Sequence, residues 1–263
     1  MKQRVITAVV ALCLFIPIVW AGGIWIDLAA ALFAAIGISE IFLMKKRVLV
    51  SFEFLLALLA TLTMAVPNSF FNFLPPHLGR LNIYFIFVML LLVWTVFSKN
   101  KVNLDDVGVY TVASMYIGTG FHYMAAIRNA QQGLALLCYV FVVVWSTDIF
   151  AYTFGRKIGC HKLWPVISPN KTWEGSIAGC LMAVLLTTVY VFLVPVNRPK
   201  AALIIASLFL SIVGQIGDLV ESAYKRHYGI KDSGKILPGH GGILDRFDSM
   251  LFVLPTVALL GVL

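Results

Sequence analysis

Two short stretches place acidic side chains at helical spacing inside apolar sequence. In GQIGDLVES, Asp218 and Glu221 stand three residues apart. In HGGILDRFDSMLFVLP, Asp245 and Asp248 do the same, with Arg246 between them. Residues at i and i+3 share a helix face, so each pair can present two carboxylates in one direction. An ionised side chain at the centre of a bilayer costs at least about 2.5 kcal/mol, so each needs compensation. An ion pair with a nearby Lys or Arg is one answer, and for Glu40 as good a reading as a share in a common site. For a group of acids sharing one pocket, mutual repulsion points instead to a shared cation. A hard divalent ion with oxygen ligands, Mg²⁺ above all, suits this donor set. Asp148 adds a further carboxylate within apolar sequence.

The segments beside these acids carry the opposite sign. SAYKRHYGIKDSGKILPGHGG supplies Ser222, Lys225, Arg226, Lys231, Asp232, Lys235 and His240, reads as a loop, and holds five glycines that let backbone N–H groups approach a ligand. FGRKIGCHKLWPVISPNKTWEGS brings Ser168, Asn170, Lys171 and Thr172 to the start of an apolar run. A helix N-terminus with spare N–H donors and a nearby Lys is a phosphate site. Neither segment holds the G-x-x-x-x-G-K-[ST] or G-x-G-x-x-G pattern. A basic loop alone is an orientation signal; beside a carboxylate cluster it fits Mg²⁺ and a polyphosphate. For His240, capping the last apolar run is as good a reading as phosphate contact. Trp164, Trp173 and Tyr228 suit the membrane interface.

The elements that position these groups follow from composition. The 263 residues are 60% hydrophobic and 12% charged, against roughly 25% charged in soluble domains. Apolar runs near residues 5–22, 24–44, 52–67, 81–97, 107–127, 133–154, 173–194, 201–220 and 241–263 predict an all-α, polytopic integral membrane protein of about nine transmembrane helices. With a cytoplasmic N-terminus, sixteen of the twenty Lys and Arg residues fall inside; only Arg80, Arg128, Arg198 and Lys200 fall outside, as the positive-inside rule requires. Glu40, Asp148, Asp218, Glu221, Asp245 and Asp248 then all belong to the cytoplasmic half. Residues 1–130 read as N-terminal transmembrane helices, and 131–263 as the helices and cytoplasmic loops that carry the chemistry. The net charge of +8 suits anionic headgroups and anionic soluble ligands; with no basic soluble domain, nucleic acid is excluded as a partner. The opening MKQRVITAVVALCLFIPIVWAGG reads as a first span rather than a cleaved signal, because no A-x-A-like site follows. Cys13, Cys138, Cys160 and Cys180 form no C-x-x-C pair, so neither zinc nor a disulfide framework is expected.

Residues 222–248 closely resemble the signature of the phosphatidate cytidylyltransferases (CDP-diacylglycerol synthases), with its S-x-x-K-R, K-D and H-G-G-x-x-D-R-x-D elements. WSTDIFAYTFG is similar to the family's W-x-x-D-x-x-A-Y-x-x-G segment, and SPNKTWEG to its S-P-x-K-T-W-x-G motif. Residues 1–130 resemble the family in hydropathy only. Tyr224 stands where an aliphatic residue or Phe is usual, and Cys160 where Lys is common. The resemblance implies condensation of CTP with phosphatidate to CDP-diacylglycerol and pyrophosphate at a bacterial cytoplasmic membrane, with a homodimer left open. It implies Asp218, Asp245 and Asp248 as Mg²⁺ ligands, a second cation being compatible. It implies Lys171, Lys225, Arg226, Lys231 and Arg246 on the phosphates of CTP or lipid, with Asp148, Ser168, Asn170, Glu221, Ser222, Asp232 and His240 in supporting contacts. Transfer to another lipid phosphate or a polyprenol is the neighbouring alternative. An ion-coupled transporter is the alternative of a different class, disfavoured because the outer halves of the spans hold almost no acid except Asp27.

Overall fold

The computed structural model describes residues 2–75 and 77–262, with no side chains described for 2–5. Leu263, the end of the last expected span, and the side chains of Lys2 and Arg4 in the basic tally therefore lie outside the described residues. Among those residues the chain forms α1 (Lys2–Ala21), α2 (Ile24–Met44), α3 (Phe52–Ala65), a short 3₁₀ turn (Asn68–Phe71), α4 (Arg80–Phe97), α5 (Leu104–Asn129), α6 (Gly133–Ile158), β1 (Lys162–Trp164), β2 (Ser168–Thr172), α7 (Trp173–Leu193), α8 (Lys200–His227) and α9 (Leu244–Leu259). Five of the helices, α2, α4, α6, α7 and α8, are long and apolar enough to cross a membrane. Residues such as Leu181, Leu185, Leu193 and Phe192 on α7 are largely exposed, a surface suited to hydrocarbon. Of the other expected spans, α3 and α9 have 14 and 16 residues, below the roughly 17–25 needed for a full crossing.

Two further expectations change. The fold is not purely helical, because β1 and β2 pair as an antiparallel hairpin. Lys225 and Arg226 lie on the last turn of α8 rather than in a loop, where cations complement the helix dipole.

The chain divides into two compact units, Met1–Ala126 with Asp232–Asp245, and Ile127–Lys231 with Arg246–Leu263. In the first, Phe42 of α2 stacks on Tyr110 of α5 with ring centroids 4.2 Å apart and meets Phe54 of α3 edge-on. Asp106, ahead of the apolar stretch of α5, accepts from Lys45 and Arg47, each at 2.7 Å. Asn103 and Asp106 also bond reciprocally at the start of that helix, satisfying N–H groups that lack helical partners. Burial pushes the Asp106 carboxyl up, but Lys45, the Asn103 amide and Arg47 outweigh it and hold the group below the ordinary carboxylate range.

In the second unit α6 and α7 approach closely through small residues. A side chain at Gly175 would meet the Ala151 carbonyl at 2.5 Å, and one at Gly179 the Thr147 carbonyl at 2.8 Å. The G-x-x-x-G spacing of 175 and 179 thus faces Thr147, Ala151 and Gly155, one helical turn apart, an arrangement common where helices pack in lipid. Tyr139 and Tyr190 lock the same unit by donating to the Leu203 and Ala135 carbonyls, both at 2.8 Å.

Candidate active site

The close packing of α6 on α7 determines where the hairpin ends. Thr172, 4% exposed, caps α7 by accepting from the Gly175 amide at 3.2 Å. Its hydroxyl also sits where side chains on Gly155 and Gly159 would have to go. Asn170 and Lys171, just before it on β2, are thereby held against α6 and α8. Between these elements lies a cavity of about 570 Å³, within the roughly 300–1,000 Å³ typical of small-ligand clefts. It is lined by the carboxylates of Asp148 and Asp218, the cations Arg156, Lys162 and Lys171, and Asn170, Tyr152 and Gln215. Acids and bases together in one cleft are what a polyphosphate with a bound cation requires.

Lys171 Nζ lies 2.7 Å from Asp218 Oδ2 and 3.5 Å from the Gln215 carbonyl. Ser222 donates to the other Asp218 oxygen at 3.3 Å. One turn on, Lys225 pairs with Glu221 at 2.7 Å, both largely buried. Asp248 of α9 is within electrostatic reach of Asp218, Glu221 and Asp148. Gly217 allows this gathering, because the Asp248 carbonyl lies only 2.8 Å from where a side chain at 217 would begin. Four carboxylates thus gather near two ion-paired lysines, with Arg156 and Lys162 on the cavity wall. Among the described residues no three His, Cys, Asp or Glu side chains are gathered into a ready ligand cage. Carboxylate oxygens are the donor chemistry that suits Mg²⁺, and Asp218 and Asp248 are candidates to supply them.

The other expected residues separate into groups. Asp148, Asn170 and Lys171 line the cavity with Asp218, while Ser168 starts the β2 strand that carries two of them. Arg226 donates to the Ile167 and Ile230 carbonyls, so it ties the hairpin turn to the end of α8. Lys231 and Arg246 are exposed, the latter on the first turn of α9. In the first unit, Asp232 is exposed and the His240 amide closes a tight turn on the Leu237 carbonyl. Asp245 Oδ2 accepts from the Ser233 amide at 2.7 Å and the Gly242 amide at 2.8 Å, with Ser233 Oγ 2.9 Å away.

Glu40 departs from the ion-pair reading. Its partners are the Ile243 and Leu244 amides and the Ser233 hydroxyl, so it caps α9, a part that His240 was a candidate to play. Tyr152, Arg156, Lys162 and Gln215 were not anticipated as lining residues. The first three lie within or beside the motif segments, so their position in the chain was the available signal; nothing in the sequence marks Gln215.

Comparison with known proteins identifies the family. The description Cytidylyltransferase family matches residues 2–263. The phosphatidate cytidylyltransferase of Bacillus subtilis (strain 168) is 45% identical over 256 residues, covering 97% of this chain and 95% of that protein. That of Staphylococcus haemolyticus (strain JCSC1435) is 45% identical over 260 residues, covering 99% and 98%. That of Staphylococcus aureus (strain COL) is 40% identical over 262 residues, again covering 99% and 98%. With a family match over residues 2–263 and relatives 40–45% identical over nearly the full length of both chains, the chain belongs to the cytidylyltransferase family.

Proposed function

We infer that the protein is a phosphatidate cytidylyltransferase, joining CTP and phosphatidate to give CDP-diacylglycerol and pyrophosphate. The observation that carries this reading is the near full-length identity, 45% over 256 residues, to a protein of that name. An oxygen of the lipid phosphate attacks the α-phosphorus of CTP, and the bond to the β-phosphate bridging oxygen breaks as pyrophosphate leaves. The attacking monoester has a second pKa of about 6, so it is anionic at neutral pH and needs no strong base. The task is to bring two polyanions together and to stabilise the leaving group.

Lys171, Lys162 and Arg156 hold the CTP phosphates in the cavity, and Asn170 donates a neutral hydrogen bond beside them. Ser222 and Lys225 orient Asp218 and Glu221. Asp218 and Asp248 hold Mg²⁺, with Asp245 the further ligand implied by the signature. When bound, the metal supplies charge neutralisation at the phosphates. Arg246 and Lys231, both exposed, are the cations available to the lipid phosphate.

The proposal places the chain across a bacterial cytoplasmic membrane with its N-terminus inside, residues 1–130 as the supporting helices and 131–263 as the catalytic part. Purified full-length protein is incubated with labelled CTP, Mg²⁺ and a panel of lipid phosphates. Phosphatidate is expected to yield CDP-diacylglycerol and pyrophosphate, and chelation of Mg²⁺ to stop it. Conversion of a different lipid phosphate with none of phosphatidate overturns the choice of acceptor.

A further inference from the structure

We propose that Glu40 is a positioning residue for the transfer reaction: its carboxylate, near the end of α2, caps α9 and latches the 233–244 turn that orients Asp245. The proposal rests on the cytidylyltransferase reading of the site. Glu40 is 2% exposed in an apolar helix, and a buried carboxylate is tolerated only when donors or cations satisfy it. Here donors do so. The Ile243 amide donates to Oε1 at 2.7 Å and the Leu244 amide to Oε2 at 2.9 Å. Both N–H groups open α9, where no intrahelical acceptor exists and the helix dipole favours an anion.

Ser233 extends the latch. Its hydroxyl lies 2.8 Å from Glu40 Oε2 and 2.9 Å from Asp245 Oδ2, and its amide donates to the same Asp245 oxygen. Glu40, Ser233 and Asp245 thus form one chain of contacts joining residues about two hundred positions apart in sequence. The glycines of the turn fit around it. A side chain begun at Gly234 would meet Glu40 Oε1 at 2.8 Å, and the three nearest atoms all belong to Glu40. One at Gly242 would overlap Glu40 Oε1 and Ser233 Oγ. The glycines at 234 and 242 are therefore shaped by Glu40 rather than by ligand approach. The Glu40 oxygens face the turn's donors, so the residue acts on the reaction through Asp245.

The test uses the full-length protein in detergent and follows Glu40→Gln, Gly234→Ala and the double variant. An amide at position 40 turns a donor toward a backbone N–H whichever way it is rotated. Amide exchange at 243 and 244 is expected to quicken by at least about tenfold, the effect of one lost charge-assisted hydrogen bond. The kcat is expected to fall by a similar factor while the KM for CTP stays within about threefold. Gly234→Ala should give the same pattern, and the double variant should lose less than the product of the two single losses. The proposal is overturned by a folded Glu40→Gln protein with wild-type kcat, by multiplicative effects in the double variant, or by activity that merely tracks the folded fraction with exchange unchanged. Absence of CDP-diacylglycerol from the wild type would overturn the reaction reading instead, while exchange at 243 and 244 still decides the latch.

Discussion

Gly217→Ala sets helix propensity directly against active-site spacing. Within α8 the change from Gly to Ala favours the helix by about 1 kcal/mol, so on local grounds it stabilises. The new methyl would meet the Asp248 carbonyl at 2.8 Å and Phe252 at 3.0 Å. A backbone oxygen cannot swing aside as a flexible side chain can. Reaching ordinary contact at 3.4 Å requires α8 and α9 to separate locally by about 0.6 Å. Asp218 and Asp248 sit at that crossing, and functional constellations tolerate about 0.5 Å of displacement, with about 100-fold lost for 1 Å. The kcat for CDP-diacylglycerol formation should therefore fall about 10- to 100-fold, with helix content unchanged and the Tm within a few degrees. Steady-state assay in mixed micelles beside a thermal melt reads both quantities. Turnover within about twofold of wild type together with a raised Tm would refute the argument that the α8–α9 spacing holds the carboxylates in register.

Four other outcomes follow from the same geometry. Asp248→Asn preserves shape but removes one of the four gathered charges, so turnover should fall at least about 100-fold, and Mg²⁺ should no longer raise the Tm; a folded variant with normal turnover at low Mg²⁺ refutes the metal role. Lys171→Met removes the 2.7 Å partner of Asp218 and a cavity cation, so the KM for CTP should rise by about tenfold or more, while stability changes by under about 1 kcal/mol because the pair is a quarter exposed. Asp106 has its folded pKa below its unfolded value, so its stabilisation is full above the unfolded pKa and is lost as pH falls through the folded one; the Tm of wild type should drop more steeply on acidification than that of Asp106→Asn, and parallel curves would refute this. Reporters inserted beside Lys162 and Lys231 should both be cytoplasmic, and finding them on opposite faces breaks the single-site reading.

Hydropathy marked most helices because a long apolar run in lipid has few other ways to satisfy its backbone. It failed where charge and helix overlap. The run beginning near 201 loses its apolar character at Asp218, yet α8 continues to His227 because its backbone ladder is indifferent to the side chains it carries. Lys225 and Arg226 looked like loop residues for that reason. The hairpin escaped for a different one: β1 has three residues and β2 five, with Pro169 in the second, too few for an alternating pattern to show.

The site was legible in the kinds of residue it needs and less so in their tasks. Asp245 and Asp248 look equivalent from sequence, two carboxylates at i and i+3 of one helix. Asp245 takes its donors from the turn just before it, from Ser233 and Gly242. Asp248 instead lies within electrostatic reach of acids carried by α6 and α8. Spacing along a helix fixes the face a side chain occupies, whereas its partner depends on which helix arrives opposite, and that is settled by small-residue contacts such as Gly217 against the Asp248 carbonyl. Glu40 makes the same point at longer range. Its local sequence, ISEIF, suggested a stray acid seeking a cation. What it met were two N–H groups some two hundred residues away, donors that every helix start exposes and that no side-chain pattern records.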